Sequence, residues 1–220
     1  MRELARALFE LVVPSVCPAC DAPRRPREPL LCAFCDRGVR RLLRLRAVHT
    51  AIAYEGTGLE LVRRAKFEHR RDARALLSAW LAERVRGLRF DAIVPLPRHV
   101  VRVRAEGCDP VHALAAELGR EFGVPVRDGA LQRARLTPPQ TGLSTGARRR
   151  NVAGSFAVEA GALEGLRVLL VDDVATTGAT LAEAARTLRG ESGASGIVLA
   201  AVAGTPASVL SSGPWQTRFD

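Results

Sequence analysis

The sequence of 220 residues predicts an α/β fold with a mainly parallel sheet flanked by helices, and three observations lead to this prediction. From residue 47 onward, short apolar runs alternate with stretches of helical periodicity, which is typical of strand–helix–strand units. Residues 168–171 are four consecutive apolar residues, as expected for a central strand that is covered on both faces. Hydrophobic residues make up 47% of the chain, which is enough to bury a core.

Local patterns locate the elements of this part of the chain. Apolar runs predict strands at 47–54, 91–96, 167–171 and 196–203, and helical spacing predicts helices at 72–86, 110–118 and 178–189. Asp109 and Pro110 are typical of an N-cap and a first helical residue. Residues 133–156 have no clear period and are rich in Thr, Pro, Gly, Ser and Arg. Because such a long loop in a compact domain is usually functional, we expect it to act as a lid.

The first 46 residues differ from the rest, so we predict an N-terminal segment, 1–46, followed by a main domain, 47–220. The segment begins with a short amphipathic helix, in which Leu4, Leu8 and Leu11 share one face. It then carries four of the five cysteines and has no apolar set large enough for a core of its own. A bound metal or the neighbouring domain must therefore hold it.

The four cysteines of this segment have the spacing of a metal site. Cys17 and Cys20 form one CxxC turn, and Cys32 and Cys35 form a second turn after eleven intervening residues. Two such turns place four thiolates around one ion, and a closed site of this kind is structural rather than catalytic. We therefore predict structural Zn²⁺; the alternatives are coincidence or a redox CxxC pair. Cys108 stands apart and is interpreted as a small buried apolar residue.

Hydropathy and charge limit the class of protein. No apolar run reaches the length of a membrane span, and residues 1–14 carry charges without a cleavage site, so we expect a cytoplasmic protein without disulfides. The net charge is +10, and 32 of the 33 basic residues are arginine, a bias that the overall composition explains in large part. Where basic residues cluster, as at 24–27 and 148–150, phosphates of a small ligand or a polynucleotide are suitable partners.

The stretch 168–180 is the most informative part of the sequence. The predicted strand ends at Asp172 and Asp173, where open α/β sheets bind ligands. Residues 175–180 are no larger than Thr and lead into a helix, so a phosphate could approach the backbone N–H groups and the helix N-terminus. Two carboxylates would repel a phosphate, and vicinal sugar hydroxyls, with Mg²⁺, suit them better. The alternative is an ordinary strand–turn–helix with solvated acids.

This stretch resembles, residue for residue, the 5-phosphoribosyl-1-pyrophosphate (PRPP) signature of the type I phosphoribosyltransferases. The resemblance implies that Asp172 and Asp173 hold the ribose 2′- and 3′-hydroxyls. It also implies that the 5′-phosphate is wrapped by Ala175, Thr176, Thr177, Gly178, Ala179 and Thr180. Enzymes acting on hypoxanthine and guanine have an Asp general base at the position of Thr176, so the resemblance argues against that substrate class.

A four-cysteine segment before such a domain resembles the ComF family, also described as GntX-like or amidophosphoribosyltransferase-like proteins. Further matches are Tyr54-Glu-Gly56, Lys66-Phe67, Val94-Pro-Leu-Pro97 and the Arg-, Asn- and Gly-containing block in 133–156. The resemblance implies a type I phosphoribosyltransferase-like fold in which that block is a hood loop. Relatives usually read Arg-Gly-Phe-Asn-Gln where this chain reads Glu106-Gly-Cys-Asp-Pro110. The acidic residues either weaken pyrophosphate binding by repulsion or only start a helix.

Two functions remain open at this stage. The first is an enzyme that transfers a phosphoribosyl group from PRPP, or a related phosphorylated sugar, to an unidentified acceptor. Its charge-stabilising candidates are Arg133, Arg135, Arg148 and Lys66. The second is a non-catalytic accessory protein for competence or DNA uptake, which the family resemblance implies, binding single-stranded DNA or a partner protein. Phe34 is the aromatic residue of the cysteine segment that could stack on bases.

Overall fold

The computed structural model describes residues 15–24, 29–41, 47–98, 109–134 and 154–205. Within these ranges, four parallel strands form a sheet of order β1-β6-β5-β2, and a two-stranded antiparallel ribbon joins β3 to β4. The strands are β1 Val48–Ala53, β2 Ala92–Pro95, β3 Leu131–Arg133, β4 Phe156–Val158, β5 Arg167–Ala175 and β6 Gly196–Gly204. The helices are α1 Ala33–Gly38, α2 Gly56–Phe67, α3 Arg71–Val85, α4 Pro110–Phe122 and α5 Ala179–Glu191. The predicted parallel α/β fold is confirmed.

The two faces of the sheet are covered by different helices, as the period-2 alternation of a strand requires. On β5, Leu169 and Val171 belong to the hydrophobic cluster formed with α2, α3 and α4. Val168 and Leu170 belong to the opposite cluster, which is formed with α5 and the β3–β4 ribbon. This explains the uninterrupted apolar run, because every residue of this part of the strand is buried.

Two predictions about the elements require correction. Helix α2 was not predicted, because Gly56 and Gly58 in its first turn are typical of loops. Gly58 is there for close packing, since a Cβ at this position would lie 2.3 Å from the carbonyl oxygen of Ala53. Strand β5 does not end at Val171 but runs to Ala175, paired with β6 throughout, so that Asp172 and Asp173 lie within the strand.

The cysteine segment packs on the main sheet domain through a shared core. Cys17, Ala19, Leu31 and Cys35 are buried in the same cluster as Leu61 of α2 and its neighbours. The segment thus uses the neighbouring domain to exclude water, as its lack of an apolar set of its own requires. The domain boundary between residues 46 and 47 stays a prediction, and the predicted N-terminal helix lies outside the described residues.

Among the described helices, none combines the length and hydropathy needed to cross a bilayer.

Candidate functional site

The acidic pair lies on β5 just beyond the end of the neighbouring strand β2. Pairing between the two strands stops at Pro95 opposite Val171, where the N–H of Leu96 donates to the carbonyl of Val171 at 2.8 Å. On the other side, β6 continues alongside β5 to Gly204. The two carboxylates are therefore at the carboxyl edge of the parallel sheet, which is where such sheets bind ligands.

Asp173 points to the face of the sheet that carries α2, as Leu169 and Val171 do. There its carboxylate accepts a hydrogen bond from the ammonium group of Lys66. Both side chains are less than 20% exposed, so this ion pair is shielded from solvent. An adjoining pocket of about 30 Å³ has an apolar lining that includes Val62 and Leu114, and it has room for about one water molecule.

Asp172 points to the opposite face and has a different environment. Its Oδ1 accepts a hydrogen bond from the backbone N–H of Asp173 at 2.8 Å. Burial raises the pKa of Asp172 well above the ordinary value, and the neighbouring Asp173 carboxylate raises it further, whereas Lys66 acts in the opposite direction. A strongly shifted carboxyl group at the edge of a sheet is typical of functional sites.

The loop after β5 places small residues between the strand and helix α5. Thr176, Thr177, Gly178 and Thr180 are partly exposed, and Gly178 has a φ of +68°, in the left-handed region that glycine adopts without strain. The hydroxyl of Thr177 accepts a hydrogen bond from the N–H of Ala179 at 3.3 Å. The first N–H groups of a helix have no intrahelical partner, so this loop can present donors to an anion.

Arg133 lies at the end of β3, where the predicted hood loop begins. Its Nε donates to the carbonyl oxygen of Pro97 at 3.0 Å, and its guanidinium carbon lies 5.1 Å from the ring centre of Phe156. The contact joins the β3–β4 ribbon to the chain that leaves β2. Arg135 and Arg148, together with most of the hood loop, lie outside the described residues.

The last two residues of the divergent segment 106–110 form the start of α4. Asp109 caps this helix, because its Oδ1 accepts hydrogen bonds from the N–H groups of Val111 and His112 at 2.9 and 3.4 Å, and Pro110 is the first helical residue. The Asp–Pro pair thus starts a helix, as its N-cap pattern predicts, and the effect of the acidic residues on pyrophosphate binding stays a prediction. Residues 106–108 lie outside the described residues.

The four cysteines come together as their spacing predicts. The sulfur atoms of Cys17, Cys20, Cys32 and Cys35 lie within 4.8 Å of one another, and those of Cys20 and Cys32 are 3.7 Å apart. Four thiolates at 2.3 Å from a tetrahedral Zn²⁺ would be about 3.8 Å apart, so the cluster has the right size for this ion. The predicted convergence of the four cysteines is confirmed, and the cluster could hold a metal; that it binds one, and that the metal is Zn²⁺, stay predictions.

Proton affinities within the cluster also favour a cation. Burial raises the pKa of Cys17, but N–H groups of Cys32, Ala19 and Cys20 outweigh it and lower the pKa to about 7. Burial and the neighbouring thiols raise the pKa of Cys35. Burial and the neighbouring sulfurs thus disfavour the thiolate of Cys35, and a divalent metal bound between the sulfurs would offset this with its positive charge.

Ion pairs that no sequence pattern predicted connect the first CxxC turn (the cysteine turn, residues 17–22) to α2 and to the residues just after it. Asp21, which follows Cys20, accepts hydrogen bonds from the guanidinium groups of both Arg64 and Arg70. The partners are 43 and 49 residues apart in the sequence. No local pattern encodes such a contact, because it depends on how the two parts of the chain pack.

Comparisons with known proteins agree with this geometry. Residues 79–214 match the family model described as "Phosphoribosyl transferase domain". The chain is 30% identical to "DNA utilization protein YhgH" of Salmonella typhi over 192 residues, which cover 84% of this chain and 81% of that protein. It is 36% identical to "Competence protein F" of Haemophilus influenzae over 138 residues, which cover 59% of this chain and 60% of that protein.

Among solved structures, the chain is similar to a glutamine PRPP amidotransferase from B. subtilis. The two are 22% identical with a TM-score of 0.41, and the match covers 59% of this chain and 26% of that one. This similarity is too low to add to the family match.

Proposed function

Since the chain belongs to the phosphoribosyl transferase domain family, and within it to the ComF-like proteins, we propose that it binds PRPP and transfers its phosphoribosyl group to an acceptor. The observation that carries this proposal is the carboxyl end of β5. It presents Asp172 and Asp173 directly before a loop of small residues that opens into a helix N-terminus.

Each part of this edge has a chemical role in the proposal. The N–H groups and hydroxyls of residues 176–180 bind the 5′-phosphate, with the dipole of α5 adding favourable charge. Asp172 and Asp173 accept hydrogen bonds from the ribose hydroxyls. Mg²⁺, when bound with PRPP, would neutralise the pyrophosphate and help it to leave as positive charge develops on the sugar.

Lys66 has two roles in this proposal. It neutralises Asp173 in the ligand-free protein, which lowers the repulsion between the acidic pair and an incoming polyphosphate. It also provides a cation next to the sugar site, where the leaving group carries negative charge. Arg135 and Arg148 remain proposed contributors from the hood loop.

The test is calorimetric titration of the protein with PRPP and Mg²⁺, followed by a screen for pyrophosphate release. Separate titrations with ribose 5-phosphate and with inorganic pyrophosphate measure how much each end of PRPP contributes to the binding free energy. Bases, amines and single-stranded DNA serve as acceptors. If the protein binds PRPP but releases no pyrophosphate with any acceptor, the transfer reaction is refuted and PRPP binding alone is retained. If the protein does not bind PRPP, the whole proposal is refuted.

A second function is favoured by one surface feature. Phe34 on α1 is 77% exposed, and Leu30 just before this helix is 55% exposed. Arg37 lies three residues after Phe34 on the same helix and is exposed as well. An exposed ring beside a cation suits single-stranded DNA, which binds by stacking of its bases and by charge contacts along its backbone. The printed names of the relatives refer to competence and DNA utilization.

This second function is tested by fluorescence anisotropy with a labelled oligo-dT at several salt concentrations. Phe34→Ala should weaken binding about five-fold or more, since stacking contributes roughly 1–3 kcal/mol per base. Phe67→Ala is the matched control, because this ring on α2 is 56% exposed but lies outside the cysteine segment. Equal binding by wild type and both variants would exclude a stacking role for Phe34.

A further inference from the structure

Helix α2 contacts the cysteine turn with one side chain and the acidic pair with another. Arg64 binds Asp21 beside the cysteines, and Lys66, two residues later, binds Asp173 on β5. Positions two apart on a helix are separated by about 200°, so the two cations leave the helix in nearly opposite directions. The last turn of α2 therefore lies between the cysteine cluster and the proposed ribose site.

Asp21 binds the chain on both sides of Lys66. Its carboxylate binds Arg64 before Lys66 and Arg70 after it, and the N–H of Arg70 donates to the carbonyl of Arg64 at 3.2 Å. The segment from residue 64 to residue 70 is thereby closed into a loop around Lys66.

The backbone hydrogen bonds of the first CxxC turn determine the position of Asp21. The N–H of Asp21 donates to the carbonyl of Cys17, and the N–H of Cys17 donates to the carbonyl of Ala22, each at 2.9 Å. Asp21 has a φ of +59°, a left-handed conformation that Asp and Asn adopt more readily than other non-glycine residues. The position of its carboxylate thus follows the geometry of the first CxxC turn.

We propose that Asp21 is a positioning residue that couples the cysteine cluster to the ligand site by holding Lys66 against Asp173. The expected effect of this coupling on PRPP binding rests on the proposed function. The contacts from Asp21 through Arg64 and Arg70 to Lys66, which are the structural part of the proposal, do not depend on any ligand.

Lys66 is the single lysine of the chain, which makes the structural part directly measurable. Labelling with ¹³C,¹⁵N-lysine gives one side-chain ammonium signal. In Asp21→Asn, which tolerates the same backbone conformation, this signal should move toward that of a solvated lysine and exchange faster with water. Arg64→Gln should shift it in the same direction, and it decides the question if the first variant does not fold.

The matched control is Glu68→Gln. Glu68 caps the same helix and pairs with Arg63 at 2.7 Å, and among the described residues no ion pair joins it to the first CxxC turn. Its variant should leave the lysine signal unchanged. A signal that moves in Asp173→Asn but stays in place in both Asp21→Asn and Arg64→Gln would overturn the proposal.

PRPP binding provides the second readout. Asp21→Asn should weaken calorimetric PRPP affinity about five-fold or more, the size expected of a coupled site. In a Lys66→Met background it should have no further effect, since Asp21 acts through Lys66; additive losses would overturn the proposal. If wild type does not bind PRPP, the proposed function fails, and the lysine signal alone decides the coupling.

Discussion

Lys66 and Asp173 form a shielded ion pair although they are 107 residues apart in the sequence. One comes from the last turn of α2 and the other from the carboxyl end of β5. The pair brings a cation to the acidic edge of the sheet, where it offsets one of the two negative charges that the proposed phosphorylated sugar would meet.

Replacing this cation should weaken ligand binding. We expect Lys66→Met to lower PRPP affinity roughly ten- to hundred-fold, because hydrogen bonds to charged groups contribute about 1.5–3 kcal/mol. The remaining affinity should depend more steeply on Mg²⁺, which must then neutralise Asp173. Calorimetric titration at several Mg²⁺ concentrations measures both effects. Arg63→Met is the control, since Arg63 on the same helix pairs only with exposed or half-exposed Glu60 and Glu68 in the described structure.

The two acids should respond differently to neutralisation. Asp172→Asn should raise the melting temperature of the protein at neutral pH, because it removes a partly buried carboxylate whose charge is disfavoured by desolvation and by the neighbouring Asp173. Asp173→Asn should lower it, because Lys66 loses its partner. Both should weaken PRPP binding. Thermal melts and calorimetry of the two variants decide this, and equal changes in melting temperature would contradict it.

Stability should also depend on pH through Asp172. The pKa of this group is raised in the folded protein, so the folded state holds the proton more tightly than the unfolded state does. Its contribution to stability is therefore most favourable at low pH and is lost as the pH rises from about 4 through the raised pKa. The difference in melting temperature between Asp172→Asn and wild type should grow across this window. Parallel pH profiles of the two proteins would show that Asp172 does not titrate in this way.

Metal removal should affect the shared core. We expect one tightly held Zn²⁺ per chain, and we expect Cys32→Ser to lose it and to expose the apolar residues around Cys17 and Leu31. Metal analysis and dye binding measure the two effects. Cys108→Ser should retain the metal, because the four clustered sulfurs already suffice for a tetrahedral site. Stoichiometric zinc in the Cys32 variant would refute the assignment.

The conservative variant Arg133→Lys separates a charge role from a positioning role. Lysine keeps the positive charge but lacks the planar group that lies near Phe156 while donating to Pro97. A positioning role predicts a melting temperature lower by a few degrees. A charge role predicts unchanged stability and retained PRPP affinity. Arg127→Lys, at an exposed position between α4 and β3, is the control for the substitution itself.

Local patterns were sufficient to predict the parallel strands and the cysteine cluster. Both depend on spacing within short windows: four apolar residues before Asp172 predict a central strand, and two CxxC turns predict four converging sulfurs. Helix α2 could not be predicted in this way. Gly58 is required there by the approach of the Ala53 carbonyl, a contact with the preceding strand that helix propensity does not describe.

The sequence by itself therefore determined the sheet, the acidic pair, the loop of small residues and the cluster of four cysteines, since each is encoded by neighbours along the chain. Tertiary structure alone decided the partners of these groups. Lys66 reaches Asp173, and Asp21 reaches Arg64 and Arg70, only because α2 packs between the cysteine turn and β5. These ion pairs depend on the angle and the distance at which the helix packs against its neighbours. The apolar pattern of the sequence shows which faces are buried, but it does not specify that angle or distance.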